Sequence, residues 1–462
     1  MAKDLRSFIA DVNGTAPEEL VRVSREVDPD LELTGVLRKF QESTQFPAVF
    51  FEKVKGTELP VLANVMASRK RLAIALETTD RGLTMEYARR QDSPVAPVVV
   101  SAADAPVKAV RYTGDQVDLQ KLPNIVHCGG DGGPYISSGV SIIRDPETGI
   151  HNAGTYRLQI KGKNRLGIYP GAYSHMYHVQ RKYEQRNEDA PVVIVVGHHP
   201  SFYLAGQYRG PLDVDELHIA GGLLGEALRM VPCETVDLMA PADAEIIIEG
   251  RILANVREHE GPFGEYTWYM GPAVDCQVIE VDAITHRADA IYYDIFSAHP
   301  EHNLMGLLGR EAMMFQRVKA AVPTVTALTL PFSGTCRHSC YVSVKKEFDG
   351  AGKNVALATL AADPFMKMVI VVDDDIDVFN EMEVMWAVVT RVQADRDVFV
   401  IPDAYVCELD PSAYDIADRS KRGYVNAKWA IDATKPVAID FQERADVPES
   451  VWKHMNLQDY LA

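Results

Sequence analysis

The spacing of hydrophobic and polar positions changes along the chain, and the first segment covers residues 1–105. Here apolar residues recur partly at the helical period of 3.6 and partly in short continuous runs. A stretch of small residues at 102–106 marks the end of the segment. We predict helices over 4–12, 17–27 and 35–43, and strands over 48–53 and 61–64.

The second segment, 106–320, alternates turns with runs rich in β-branched and apolar residues, which is typical of strands. Two stretches with helical spacing interrupt these runs. We predict strands over 140–144, 155–161, 192–197, 244–252, 276–284 and 291–296, and helices over 175–187 and 215–229.

The third segment, 321–462, alternates buried-type strands with helices, which indicates a layered α/β unit. We predict strands over 324–330, 341–346, 368–372 and 397–401, and helices over 354–362 and 378–390. The predicted fold class is therefore α/β (α+β), with three domains at 1–105, 106–320 and 321–462.

Composition excludes several classes of protein. The 462 residues are 47% hydrophobic and carry a formal charge of −18, which argues against a nucleic-acid partner. No apolar run is long enough to span a membrane, and the first residues lack the apolar core of a signal peptide. We therefore expect a cytoplasmic protein without a membrane partner, whose six scattered cysteines are reduced thiols.

The hexapeptide at 260–265, Glu-Gly-Pro-Phe-Gly-Glu, holds two carboxylates around a turn that cannot lie inside a helix. Glu260 and Glu265 on such a turn suit general acid–base catalysis, because one carboxylate raises the pKa of its neighbour. Taken alone, the pattern favours a surface turn with solvated glutamates, and a second motif upstream reverses that preference.

A second set of candidates lies upstream. Asn152, His175 and Glu216 offer amide, imidazole and carboxylate ligands, a set that suits Mn²⁺ or Mg²⁺ better than zinc. Arg157 follows Asn152 closely enough to pair with a glutamate of the hexapeptide. A third motif, the glycine-rich loop at 129–134, is interpreted as a flexible connection near the mouth of the site, because the lysine of a phosphate-binding loop is missing.

Taken in order, these motifs resemble those of the UbiD family of decarboxylases, which use prenylated FMN. The resemblance extends from about residue 5 to about residue 435. Its matching blocks are 152–157, His175, 215–222, 260–265, and 371–377 continuing to 386–391.

The resemblance implies a fold and a set of site residues. The middle segment becomes a split β-barrel that holds the flavin, and the last segment builds a homo-oligomer, a dimer or a hexamer. Arg157, Glu260 and Glu265 form the catalytic network. Cofactor contacts fall to Asn152, Thr155, Tyr156, Arg157, His175, Glu216 and Lys428, with Asn152, His175 and Glu216 holding Mn²⁺ or Mg²⁺ and a K⁺ ion nearby.

The resemblance also implies a reaction: reversible, non-oxidative decarboxylation of an aromatic or heteroaromatic acid. Glu265 donates the proton that replaces CO₂, and a flavin prenyltransferase supplies the cofactor. Arg310 is predicted at the start of an apolar helix, where the helix dipole disfavours a cation, so it needs a nearby anion. We assign His302 and Arg310 to a second acidic group of the substrate, which favours furan-2,5-dicarboxylate. The alternative is a surface Arg310 that is paired with Glu301 or solvent. The alternative functions are a hydroxybenzoate or other monoacid decarboxylase, an ordinary FMN oxidoreductase, and a non-catalytic assembly subunit.

Overall fold

Five β-sheets, one of them a pair of two short strands, and their covering helices are seen in the computed structural model, which describes residues 2–421 and 423–461. The elements of the first part, in chain order, are α1 (Leu5–Thr15), β1 (Leu20–Val23), α2 (Glu32–Glu42), β2 (Ala48–Phe51), β3 (Val61–Ala63), α3 (Arg69–Ala75), α4 (Leu83–Gln91) and β4 (Val98–Val99).

The middle part contains most of the strands. They and the helices between them are β5 (Val110–Thr113), β6 (Tyr135–Ile136), β7 (Val140–Arg144), β8 (His151–Thr155), β9 (Leu158–Ile160), β10 (Arg165–Ile168), α5 (His175–Gln185), β11 (Ala190–Val196), α6 (Pro200–Ala205), α7 (Glu216–Leu224), β12 (Arg229–Pro232), β13 (Met239–Pro241), β14 (Ile246–Glu260), β15 (Phe263–Gly264), β16 (Met270–Gly271), β17 (Val274–His286) and β18 (Tyr292–Asp294).

The last part alternates helices and strands. Its elements are α8 (Pro300–Met305), α9 (Leu307–Ala321), β19 (Val325–Thr329), β20 (Ser339–Val344), α10 (Ala351–Ala362), β21 (Met368–Asp373), α11 (Glu381–Arg391), α12 (Ala394–Asp397), β22 (Val398–Tyr405), β23 (Val425–Asp432) and α13 (Glu449–Trp452).

The largest sheet has nine strands in the order β6-β9-β10-β17-β14-β11-β7-β8, with β5 added beside β17. All its pairs are antiparallel. Both faces are buried, because successive residues of β14 alternate between two hydrophobic cores, Ile247 in one and Ile246 and Ile248 in the other. The chain runs directly from β8, at one edge, to β9, near the opposite edge. The sheet is thus a curled, split barrel, and residues 156 and 157 cross its opening.

The other sheets flank this barrel. A four-stranded sheet, β1-β2-β3-β18, takes its last strand from the middle part of the chain, and β4 joins β12 and β13 in a three-stranded sheet. The last part forms a five-stranded sheet in the order β19-β20-β21-β23-β22, with parallel pairs at its centre. This mixed α/β architecture confirms the predicted fold class.

Three predicted elements were wrong in extent or type. Residues 17–27 form a single helical turn followed by β1, because the β-branched Val21 and Val23 pair with β2 instead of continuing a helix. The predicted strand 155–161 is interrupted at the barrel opening. The predicted helix 215–229 stops at Leu224, since Gly225 takes a left-handed conformation (φ 74°), and Arg229 begins β12.

Helices were searched for membrane spans. Among the described residues, none is both long and apolar enough to cross a bilayer.

Candidate active site

The two glutamates of the hexapeptide meet Arg157 at the opening of the barrel. Glu260 is the last residue of β14, and Glu265 follows β15 directly. Arg157 donates from Nη2 to Glu260 Oε2 (2.6 Å) and from Nη1 to Glu265 Oε1 (2.5 Å). The Glu260 side chain is fully buried, and the Glu265 side chain is only 10% exposed. The hexapeptide is thus part of an interior ion-pair network and not a solvated surface turn.

Protonation of Glu265 depends on opposing influences. Burial raises the pKa of Glu265, while Arg157 and Arg337 lower it and Glu260 raises it. The net result is a pKa above the usual value for glutamate. A carboxyl group of this kind is suited to donating a proton near neutral pH.

Glu265 borders a cavity of about 260 Å³. The walls come from three regions: the barrel opening, the turn after Glu265 and helix α8, and the last part of the chain. Representative lining residues are Arg157, Glu265, Tyr266, His302, Arg337 and Leu409. Tyr169, also on the wall, donates to Glu408 (2.7 Å) and so links the barrel to the last part of the chain.

A second, more polar cavity of about 300 Å³ adjoins the first. Thr155 and Tyr156 line both cavities, and Asn152, His175 and Glu216 line the second. One elongated ligand can therefore occupy both spaces, with its polar end beside the predicted metal ligands.

The predicted metal ligands converge on one point. His175 and Glu216 are the first residues of α5 and α7, and Nδ1 of His175 lies 3.1 Å from Glu216 Oε1. Asn152 Nδ2 donates to the same oxygen (3.2 Å), while Asn152 Oδ1 is buried without a hydrogen-bond partner among the described residues. An unused amide oxygen beside a carboxylate and an imidazole fits a divalent cation. The start of a helix also favours a phosphate.

No other metal site emerges from the described part of the chain, where no three His, Cys, Asp or Glu side chains gather as ligands. The predicted K⁺ ion cannot be assigned ligands and stays a prediction.

His302 and Arg310, assigned to substrate binding from the sequence, lie in different settings. His302 lines the first cavity, and burial lowers its pKa to about 3, so it is neutral. Arg310 does not open its helix, which begins three residues earlier. Its guanidinium pairs with Asp363, stacks over Phe365 and is absent from the cavity wall. The argument that Arg310 needs an external anion is therefore wrong, because its own chain provides one.

Lys428, predicted to reach the cofactor phosphate, lies on β23. Its ammonium donates to the carbonyl oxygens of Pro364 (2.8 Å) and Met366 (2.5 Å). It lines neither of the two cavities. The structure therefore does not bring Lys428 to the place where the phosphate was expected.

The sequence interpretation missed Arg337 and Arg209, which both line the first cavity. Arg337 is 6% exposed, lies 4.1 Å above the Tyr266 ring, and has no acidic partner within 4 Å among the described residues. Burial and the charge of Arg310 lower its pKa.

The sequence signal for Arg337 is an arginine a few residues before an apolar strand, and many surface turns share that pattern. A local cue accompanies it in the structure: Gly306, between α8 and α9, leaves room for the guanidinium. A Cβ atom there would lie 2.5 Å from Nη2.

Three models of one protein family match the chain in succession. They are the N-terminal domain (15–91), the Rift-related domain (98–300) and the C-terminal domain (303–433) of 3-octaprenyl-4-hydroxybenzoate carboxy-lyase, the UbiD family.

Individual relatives agree with the family models. The chain is 36% identical to the anhydromevalonate phosphate decarboxylase of Methanothermobacter thermautotrophicus, over 94% of this chain and 97% of the relative. It is 31% identical to a phenolic acid decarboxylase of Streptomyces sp. (strain D7), over 99% and 98%.

Among solved structures, the UbiD-class enzyme HmfF from Pelotomaculum thermopropionicum in complex with FMN superposes with a TM-score of 0.93. It is 40% identical, over 99% of this chain and 100% of the other. An evolved dimeric form of HmfF has been solved in complex with prFMN, with a TM-score of 0.88. The family models cover most of the residues and the relatives nearly the whole chain, so this protein belongs to the UbiD family and is a carboxy-lyase.

Proposed function

We propose that this protein decarboxylates an aromatic or heteroaromatic acid that carries a second acidic group, of the furan-2,5-dicarboxylate type. The observation that carries the proposal is the arrangement of the first cavity. Glu265, a proton donor, lies on one wall, and Arg337, a buried guanidinium without an acidic partner among the described residues, also lines the space.

Prenylated FMN is the proposed cofactor. The FMN and prFMN complexes of HmfF support it, as do the two adjoining cavities and the unused Asn152 oxygen. When bound, the cofactor supplies the electron sink that loss of CO₂ from such an acid requires. Asn152, His175 and Glu216 would hold a Mn²⁺ or Mg²⁺ ion beside its phosphate, with Thr155 and Tyr156 along its length.

Glu265 is proposed to give a proton to the carbon that loses CO₂. Arg157 holds this carboxyl through the 2.5 Å contact and is itself fixed by Glu260. Burial favours the protonated form of Glu265, because the charged form is poorly solvated.

Arg337 is proposed to bind the second acidic group, with the neutral His302 beside it. An uncompensated buried cation is costly, and an incoming carboxylate removes that cost. Arg310 is not part of this proposal, since Asp363 already balances it.

The assembly is proposed to be a homo-oligomer built from the last part of the chain, with a flavin prenyltransferase as the cofactor's source. Helix α11 supports the first point, because Met382 and Val389 are exposed by 82% and 75%.

The experiment is co-expression with a flavin prenyltransferase, anaerobic purification, and measurement of CO₂ release from matched acids. The panel contains furan-2,5-dicarboxylate, 2-furoate, 4-hydroxybenzoate and 3,4-dihydroxybenzoate. We expect release from the diacid to exceed release from the monoacids. Release of CO₂ only from monoacids would support the assignment as a decarboxylase but contradict the proposal that Arg337 binds a second acidic group. Loading with flavin but no release from any acid would overturn the assignment of an aromatic substrate.

A further inference from the structure

The glycine-rich loop at 129–134 packs directly against the catalytic hexapeptide, so its interpretation as a flexible connection needs revision. Gly132 N donates to Pro262 O (2.8 Å), and Gln159 Nε2 donates to Gly132 O (2.8 Å). The approach is so close that a Cβ atom on Gly132 would lie 2.1 Å from Gly261 O. The loop is therefore a fitted support for the turn between Glu260 and Glu265.

Asp131 is the residue of this loop whose side chain binds the backbone next to Glu265. Its Oδ1 accepts from the backbone N–H of Gly264 (3.1 Å), the residue directly before Glu265. Its Oδ2 accepts from the N–H groups of His127 (3.1 Å) and Cys128 (2.9 Å). One carboxylate thus binds the catalytic turn to the segment that begins at His127.

His127, the first residue of this segment, is held in the protein interior. His127 is 2% exposed, and its Nε2 lies 3.0 Å from Oδ1 of the buried Asp294. Asp294 also accepts from the hydroxyl of Ser137 (2.9 Å). The His127 ring packs edge-on against Phe263 of the hexapeptide. Because Asp294 and Phe263 hold His127, the segment that carries Asp131 has a fixed position. The hydrogen bond from Gly264 to Asp131 therefore fixes the backbone of Gly264 as well.

Gly264 is packed so closely that no larger side chain fits there without displacing its neighbours. A Cβ atom there would lie 2.9 Å from Cys128 Sγ and 3.1 Å from Ser297 Oγ. The strand β15 that contains Gly264 has only two residues, and its pairing with β16 is equally short. Beyond this pairing, the backbone of Glu265 donates to Tyr269 O (3.0 Å) and accepts from Trp268 N (2.8 Å). The Asp131 carboxylate adds the side-chain contact that holds the N–H of Gly264.

We propose that Asp131 is a positioning residue for Glu265, acting through the amide of Gly264. It does not line the substrate cavity, so it does not touch the reacting atoms. Proton transfer requires donor and carbon within hydrogen-bond reach, and a displacement of about 1 Å costs roughly 100-fold in rate. This inference rests on the proposed role of Glu265 as proton donor.

The test compares Asp131→Ala and Asp131→Asn with a matched control, Asp118→Ala. Asp118 also accepts from a backbone N–H, that of Gln120 (3.1 Å), but its turn does not touch the hexapeptide. Asparagine keeps the size of Asp131, yet its amide nitrogen cannot accept a hydrogen bond, so it cannot serve all three N–H groups.

The first measurement is hydrogen–deuterium exchange of the peptide covering 260–266 in the full chain, which does not depend on activity. We expect faster exchange in both Asp131 variants and no change in Asp118→Ala. Unchanged exchange would overturn the proposed contact.

The second measurement is kcat and KM against pH for the flavin-loaded enzymes. For Asp131→Ala we expect kcat per bound flavin to fall by about 30-fold, KM to stay within about twofold, and the alkaline limb of the kcat profile to shift to higher pH as Arg157 loosens from Glu265. A lower melting temperature with unchanged kcat and pH profile would overturn the positioning role. If the unaltered enzyme releases CO₂ but Glu265→Gln does so equally well, the proposed function fails first, and the exchange result still decides whether Asp131 holds the turn.

Discussion

Arg157 and Arg337 line the same cavity, and the structure treats their charges in opposite ways. Both stack over aromatic rings, Arg157 over Tyr169 at 4.7 Å and Arg337 over Tyr266 at 4.1 Å. Arg157 has two carboxylates within 2.6 Å, whereas Arg337 has no acid within 4 Å in the described part of the chain. Two glutamates of the chain balance the charge of Arg157, whereas no described acid balances Arg337, which is why we propose that Arg337 binds an acidic group of the substrate.

The largest loss of activity is expected at Glu265, the glutamate that is paired with Arg157. Glu265→Gln should reduce CO₂ release by about 1,000-fold or more, because the amide cannot donate an acidic proton. Flavin content, read from the absorbance spectrum, should stay the same. Glu258→Gln is the matched control, since Glu258 lies on the same strand but pairs with Arg165 outside the cavity. Normal turnover by Glu265→Gln would remove Glu265 as donor.

Arg310 provides the next test, because it is buried like Arg337 but paired like Arg157. Arg310→Ala leaves Asp363 buried without its partner, which typically costs about 3–5 kcal/mol of stability. We expect a lower midpoint in urea unfolding and an unchanged ratio of diacid to monoacid turnover. A selective loss of diacid turnover would instead place Arg310 in the substrate subsite.

Arg337→Ala should show the opposite pattern. Loss of a charge-assisted hydrogen bond of about 2 kcal/mol lowers kcat/KM for the diacid by about 30-fold. The monoacid should change by less than about threefold. Stability should hold or improve, since an uncompensated buried charge is removed. Equal losses on both acids would contradict the second-acid role of Arg337.

The smallest expected effect is a shift in pH dependence. Glu260 raises the pKa of Glu265, so Glu260→Gln should lower that pKa. The donor then loses its proton at lower pH, and the alkaline limb of kcat should move to lower pH. A limb that stays in place or moves to higher pH would show that Glu260 does not act on Glu265 by its charge.

The local pattern of apolar and polar residues predicts much of the fold. Strands such as β7 and β11 and the helix that begins at His175 follow from apolar period and caps, and the structure contains them close to the predicted bounds. The helix that begins at Glu216 starts where it was predicted but ends earlier, at Leu224. The errors fall where tertiary contacts override local preference, as in β1, whose strand state depends on pairing with β2. The strand break at residues 156–157 likewise depends on the barrel's closure.

The site residues also divide into those that the motifs predict and those that depend on distant contacts. The order of the motifs is sufficient to predict that Arg157, Glu260 and Glu265 form one network. Arg310 and Arg337 could not be ranked from sequence, because the difference between them is an acid 53 positions beyond Arg310, Asp363. Asp131 was overlooked for a related reason: its partner at Gly264 lies 133 positions away.

Helix α8 joins the cavity to the first part of the chain. Glu301, next to His302, accepts from the backbone N–H groups of Asn64 (2.7 Å) and Met66 (2.8 Å), and Arg71 supports the same segment by donating to Val65 O (3.0 Å). A laboratory evolution campaign for new acids should therefore recover beneficial changes around 64–71 as well as on the cavity wall. Libraries restricted to residues that touch the substrate would miss them.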